Sequence, residues 1–180
     1  MNEYKIVFTG TMGAGKTTAI AAISEIPPTT TDVVNHARQD FDKSTTTAAM
    51  DYGEITLAGN DRLRLYGTPG QARFRFMWDI LGRGALGIVI LADASRPDPC
   101  ADVIEYASAF EGPIRAGAAV VGIGRAGDSD IVARCADALA EKGLLMPVFA
   151  VDVREREDVL LLLDALIGQL EAMQPDIGLS

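Results

Sequence analysis

The chain has 180 residues, a formal net charge of −9, and 48% apolar but only 6% aromatic residues. That length fits a single domain, residues 1–180, able to bury a full core without staples. The acidic balance excludes a general nucleic-acid binder, which needs a basic stripe to meet phosphates, and argues against docking on an anionic membrane.

Apolar runs alternate with helical patterns along the chain. Tyr4–Thr9 reads as a buried strand, followed by a Gly-rich turn and a helix from about Lys16 to Glu25 that Ile26-Pro27-Pro28 stops. Pro28 to Thr46 is polar, Thr-rich and without period, and a loop of that length in a compact domain is usually functional. Ala48–Leu57 alternates with period two, Ala58-Gly59-Asn60-Asp61 is a hairpin turn, and Leu63–Tyr66 is the partner strand. Leu86–Leu91, Ala118–Ile123 and Val148–Val151 are apolar runs of the buried parallel-sheet kind. Helices are predicted over Arg73–Leu81, Ala101–Glu111, Asp130–Lys142 and Glu157–Met173. One hairpin plus repeated strand–helix units predicts an α/β fold: a mostly parallel six-stranded sheet with one antiparallel strand and helices on both faces.

Cys100 and Cys135 lie in different segments without metal-ligand spacing, and both are expected as reduced, partly buried thiols. The single histidine, His36, has no nucleophile or second histidine at a useful spacing and reads as a solvated loop residue. No leader, spanning run or lipidation motif is visible, so a soluble, cytoplasmic chain without direct membrane insertion is expected.

Gly10-Thr11-Met12-Gly13-Ala14-Gly15-Lys16-Thr17 matches G-x-x-x-x-G-K-[ST] between a predicted strand and a predicted helix, the context this motif requires. Glycines let the backbone curl so that N–H groups point inward as an anion nest, and the helix N-terminus adds positive charge. Gly13, Ala14, Gly15, Lys16, Thr17 and Thr18 are therefore the candidate phosphate-binding residues, with Lys16 on the β and γ phosphates and Thr17 on Mg²⁺. This motif alone does not choose among GTPase, ATPase and kinase.

Thr45-Thr46-Thr47-Ala48-Ala49-Met50-Asp51-Tyr52-Gly53-Glu54, Leu65-Tyr66-Gly67-Thr68-Pro69-Gly70-Gln71 and Arg73-Phe74-Arg75-Phe76-Met77-Trp78 together resemble the bacterial Ras-like GTPases of the gliding-motility and conservon types. The resemblance implies a P-loop fold of the small-GTPase kind and a GTP-hydrolysing switch. It makes Gly70 the γ-phosphate sensor, Gln71 the water-positioning catalytic residue beside Lys16, and Thr47 the residue that closes over Mg²⁺. It also implies GTP and GDP as ligands and a regulatory partner, such as a roadblock-fold protein. The non-hydrolysing nucleotide-binding scaffold is the alternative.

The chain departs from that pattern at four places. Gly67 stands where small GTPases place an acid that holds Mg²⁺ through water, and Asp51 on the neighbouring hairpin strand is the nearest replacement, although a plain strand-surface Asp is an equal reading. Met12 occupies a P-loop position that is often Gly and crowds an incoming arginine finger. The base-reading segment is Gly124-Arg125-Ala126-Gly127-Asp128: Asp128 could bind the guanine edge or simply cap the next helix, and Arg125 could stack on the base. Val151-Asp152-Val153 stands where S-A-K is usual, leaving backbone amides or Asp152 to contact the base. Phe74, Phe76, Met77 and Trp78 are either a partner surface on a switch helix or the packed underside of that helix.

Overall fold

The computed structural model describes residues 1–34, 47–71, 74–127 and 129–173. Within them the chain forms β1 (Glu3–Gly10), α1 (Lys16–Ile23), β2 (Thr29–Val34), β3 (Thr47–Thr56), β4 (Arg62–Gly67), α2 (Arg75–Gly82), β5 (Gly87–Asp93), α3 (Pro99–Ala109), α4 (Glu111–Ala116), β6 (Ala118–Gly124), α5 (Ile131–Glu141), β7 (Val148–Ala150) and α6 (Arg156–Met173). The strands form one sheet in the order β2-β3-β4-β1-β5-β6-β7. Only β3 runs against its neighbours, pairing antiparallel with both β2 and β4. This is the predicted α/β architecture, consistent with a P-loop NTPase fold.

Alternation along the central strands builds two core faces. Ile6, Phe8, Val89, Leu91 and Val120 point to the side that α1 and α6 cover with Ile20, Ile23, Val159, Leu162 and Leu166. Val7, Ile88, Ile90, Val121 and Ile123 point to the side covered by α2, α3 and α5 through Trp78, Val103, Tyr106 and Leu139. Strand β5 is buried along its whole length, as a strand sandwiched between helices must be.

The sheet has seven strands rather than six. The extra strand, β2, lies in the Thr-rich stretch that reads as loop. Thr29 and Thr30 are exposed on it, so it shows no apolar alternation. An edge strand needs one partner and no buried face, and β-branched threonine suits extended backbone. His36 lies outside the described residues, as does Arg73.

The expectation of reduced thiols is also corrected. Cys100 on α3 and Cys135 on α5 form a disulfide, with Cα atoms 4.8 Å apart. The pairing is invisible in sequence because the helices that bring the two together are separated by a strand and lie side by side only in the fold. Closing a loop of this length is worth about 3–4 kcal/mol in the chain-entropy account. Among the described residues no helix is long and apolar enough to cross a membrane.

Candidate nucleotide site

The P-loop links β1 to α1 at the carboxyl edge of the sheet, where ligands of open α/β sheets bind. Its curl depends on Gly15, which caps α1 in the left-handed region at φ 97°. A side chain there would also meet Val153 Cγ2 at 2.6 Å, so the segment after β7 packs directly on the loop. Lys16 opens α1 and is buried, 7% exposed. Its ammonium donates to Gly10 O and to Thr11 O, both at 2.7 Å, which stretches the side chain back over the loop. The Thr11 hydroxyl is buried with no hydrogen-bond partner among the described residues. A polar group in that state is costly unless a ligand satisfies it.

Burial pulls the Lys16 pKa down from the ordinary 10.5 to about 8, against the opposing pull of the Asp51 carboxylate. The sign has two consequences. Between pH of about 8 and 10.5 the unfolded chain binds a proton that the folded domain does not, so empty-domain stability rises with pH in that window. Nucleotide, which needs the charged ammonium, should lose affinity by about tenfold per pH unit above about 8. Titration of binding from pH 7 to 10 checks this, and a flat profile would contradict it.

Thr17, the second residue of α1, donates its hydroxyl proton to Asp51 Oδ2 at 2.5 Å. Asp51 reaches this point because β3 pairs with β4 in the register Asp51↔Gly67. A Cβ on Gly67 would lie 3.1 Å from Asp51 Cβ and 3.2 Å from Asp51 Oδ2. The Asp51 carboxylate thus occupies the space that a side chain on Gly67 would enter. Two hard oxygen donors converge beside the P-loop, which fits Mg²⁺, a cation held by one or two protein oxygens together with phosphates and water. Thr47, the other metal candidate, is the first residue of β3.

The loop after β4 closes on the P-loop from above. Thr68 anchors it, its amide on Phe8 O at 2.9 Å and its hydroxyl on Thr9 Oγ1 at 2.9 Å. Gly70 then lies against the P-loop backbone: a Cβ there would stand 2.5 Å from Met12 N and 2.8 Å from Met12 Cα. Gln71 follows, its amide nitrogen 3.7 Å from Met12 Sδ. Met12 itself is 67% exposed.

Beyond the P-loop a cavity of about 580 Å³ runs between the ends of β5, β6 and β7, lined by Gly13, Thr18, Asp93, Arg125, Asp152 and Asp158 among others. Arg125, at φ 55°, ion-pairs with Asp93, whose other oxygen accepts from the amide and hydroxyl of Ser95 at 2.9 and 2.6 Å. Arg125 therefore stands at the cavity held by an acid. Asp152 is clasped by Arg154, whose Nε and Nη2 reach Oδ1 and Oδ2 at 2.9 and 2.6 Å. That clasp holds the Asp152 carboxyl down to about 2. Asp158, which from sequence reads as one acid of a solvated helix start, accepts the Asp152 amide at 2.7 Å and fixes the turn. Its only sequence signal is an acid in the first turn of α6. Asp128 lies outside the described residues.

The helix after Gln71 is mostly packed. Phe74, Met77 and Trp78 are buried, and of the large apolar residues of α2 only Phe76, 38% exposed, and Ile80 face outward, beside the exposed Arg75 and Asp79. The aromatic segment is thus the underside of α2 rather than an exposed cluster.

Residues 8–122, from the P-loop strand to the middle of β6, match the family described as conserved hypothetical ATP binding proteins. The chain belongs to this family. An uncharacterized protein of Methanocaldococcus jannaschii is 30% identical over 95 residues, covering 53% of this chain and 54% of the relative. The chain thus matches about half the length of that relative. The family's description carries nucleotide binding and agrees with the P-loop. It is an ATP-binding description and not the Ras-like GTPase family that the switch-like motifs resemble.

Proposed function

We propose that this member of the ATP-binding family is a Mg²⁺-dependent nucleoside triphosphatase that works as a switch, with GTP as its nucleotide. The observation that carries the reading is the convergence of three elements on one point. The P-loop ammonium, the Thr17–Asp51 oxygen pair and Gly70 all meet at the Gly10–Lys16 turn. Lys16 and the loop amides would bind the β and γ phosphates, and the Gly70 amide would sense the γ-phosphate. Gln71 would orient a water for in-line attack on the γ-phosphorus, forming the new P–O bond as the bond to the β–γ bridging oxygen breaks and releasing inorganic phosphate, GDP and a proton. Mg²⁺, held by Thr17 and Asp51 with Thr47 closing over it, would neutralise charge on the phosphate oxygens. Loss of the γ-phosphate would release the loops bearing Thr47 and Gln71 to a regulatory partner, for which a roadblock-fold protein is the candidate.

Guanine is favoured by the Ras-like order of Gly70-Gln71 after the P-loop and by Asp128 as the acid for the guanine edge, with Arg125 and Asp152 at the cavity wall. The test is Mg²⁺-dependent binding of labelled GTP, GDP and ATP, followed by phosphate release. Preference for ATP would refute the guanine reading and leave the phosphate chemistry intact. A second reading, a non-hydrolysing scaffold, is favoured by Gln71 resting against Met12 Sδ. Tight binding without turnover in the presence of a partner would decide for it.

Asp51 provides a sharper test. Asp51→Asn keeps the shape and removes the charge. The Mg²⁺ concentration for half-maximal nucleotide binding should rise about tenfold or more, the usual cost of losing a group that supports a metal. An unchanged Mg²⁺ requirement would remove Asp51 from the site.

A further inference from the structure

Two consecutive carbonyls of the loop after β4 are each held by an aromatic donor. Trp78 Nε1, on α2, donates to Pro69 O at 3.1 Å. The Tyr106 hydroxyl, on α3, donates to Gly70 O at 3.2 Å. The two rings pack on each other with centroids 4.7 Å apart, and Trp78 also stacks on Phe110 at 6.1 Å. Trp78 is 1% and Tyr106 4% exposed, so neither donor swings freely.

A trans peptide carries its C=O and the next residue's N–H on opposite edges of one plane. Holding Pro69 O therefore sets the direction of the Gly70 N–H, and holding Gly70 O sets that of the Gln71 N–H. Gly70 itself is pressed on the P-loop backbone at Met12. A hydrogen bond accepted by a carbonyl also polarises its peptide and strengthens the N–H at the other end.

We infer that Trp78 and Tyr106 form an aromatic latch that aims and polarises the Gly70 and Gln71 amides toward the terminal phosphate of the bound nucleotide. The inference rests on the proposed reading of Gly70 as the γ-phosphate sensor and deepens it. Both are positioning residues: they act through the loop and touch no reacting atom. The latch also joins α2 and α3 to the loop, so a γ-phosphate that draws the amides inward pulls on both rings.

The chain contains one tryptophan, so its own emission reads the latch. The unaltered chain and Tyr106→Phe are titrated with the β,γ-imido analogue of GTP and with GDP, with the adenine pair in parallel, all with Mg²⁺. In the unaltered chain the triphosphate analogue should shift Trp78 emission and the diphosphate should not. Tyr106→Phe keeps the ring and its packing; it should lose about three- to tenfold in triphosphate affinity, the worth of one hydrogen bond, with diphosphate affinity unchanged. Equal losses for both nucleotides would mark a structural role and overturn the latch, as would Trp78 emission indifferent to the γ-phosphate. If the unaltered chain binds both nucleotides equally, the γ-phosphate reading falls and takes the latch with it. If it discriminates and Tyr106→Phe discriminates equally, only the latch falls. The emission measurement needs no variant, so a Tyr106→Phe chain that misfolds does not shield the inference.

Discussion

Lys16→Met will weaken triphosphate binding about thirtyfold or more without lowering the melting temperature of the empty domain. The two effects have one origin. The ammonium is buried at the first residue of α1, and its only described hydrogen bonds are to Gly10 O and Thr11 O. Burial penalises its charged form, as the fall of its pKa to about 8 shows. Methionine has similar length and no charge to desolvate, so the empty domain gives up two hydrogen bonds and sheds a buried cation. Toward nucleotide the exchange is one-sided. Removing one member of a buried, hydrogen-bonded charge pair costs about 2–5 kcal/mol, roughly thirtyfold to several-thousandfold in affinity. Calorimetric titration and a thermal melt on the same sample check both halves. Retained affinity would remove Lys16 from the phosphate site.

Gly70→Ala should be the most damaging single methyl in the loop after β4. The added carbon would stand 2.5 Å from Met12 N and 2.9 Å from Thr11 C, and these are backbone atoms of the P-loop rather than yielding side-chain tips. Either the loop after β4 lifts or the P-loop deforms. The first outcome breaks the contact that would let Gly70 report a γ-phosphate; the second spoils the phosphate cradle itself. Overpacking of this kind costs about 1–3 kcal/mol in stability. The preference for triphosphate over diphosphate should disappear, which competition between labelled GTP and GDP measures. A variant that keeps both stability and preference would show that the loop is not seated on the P-loop in solution.

The parts of this site that are local in sequence are legible there, and the parts that depend on neighbouring strands are not. The P-loop is one contiguous turn whose glycines, lysine and threonine carry their meaning in order. Strands β1, β5 and β6 announce themselves because burial on both faces demands unbroken apolar runs. Strand β2 escapes because an edge strand of threonines satisfies only hydrogen bonds. Asp51 is intermediate: the hairpin turn after β3 makes it a neighbour of Gly67, but only the register shows its carboxylate on Thr17. Arg125 reads as a base-stacking side chain, yet its partner Asp93 lies 32 residues earlier, beside it only because β5 and β6 end together. Tyr106 carries no local signal; its hydrogen bond to Gly70 O joins α3 to a loop 36 residues earlier. Of the two readings of the aromatic segment after Gln71, packing rather than sequence decides for the underside of the helix. Aromatic side chains beside a sheet are the cheapest way to fill the space under a short helix, and Trp78 does so.

The Asp51 carboxylate beside Gly67 limits what either position can carry. A carboxylate introduced at position 67 while Asp51 remains would put two like charges against each other at van der Waals distance, and loss of Asp51 while Gly67 remains would leave the Thr17 hydroxyl without its acceptor. Positions 51 and 67 therefore share one space between two strands, and a change at either is read against the residue at the other.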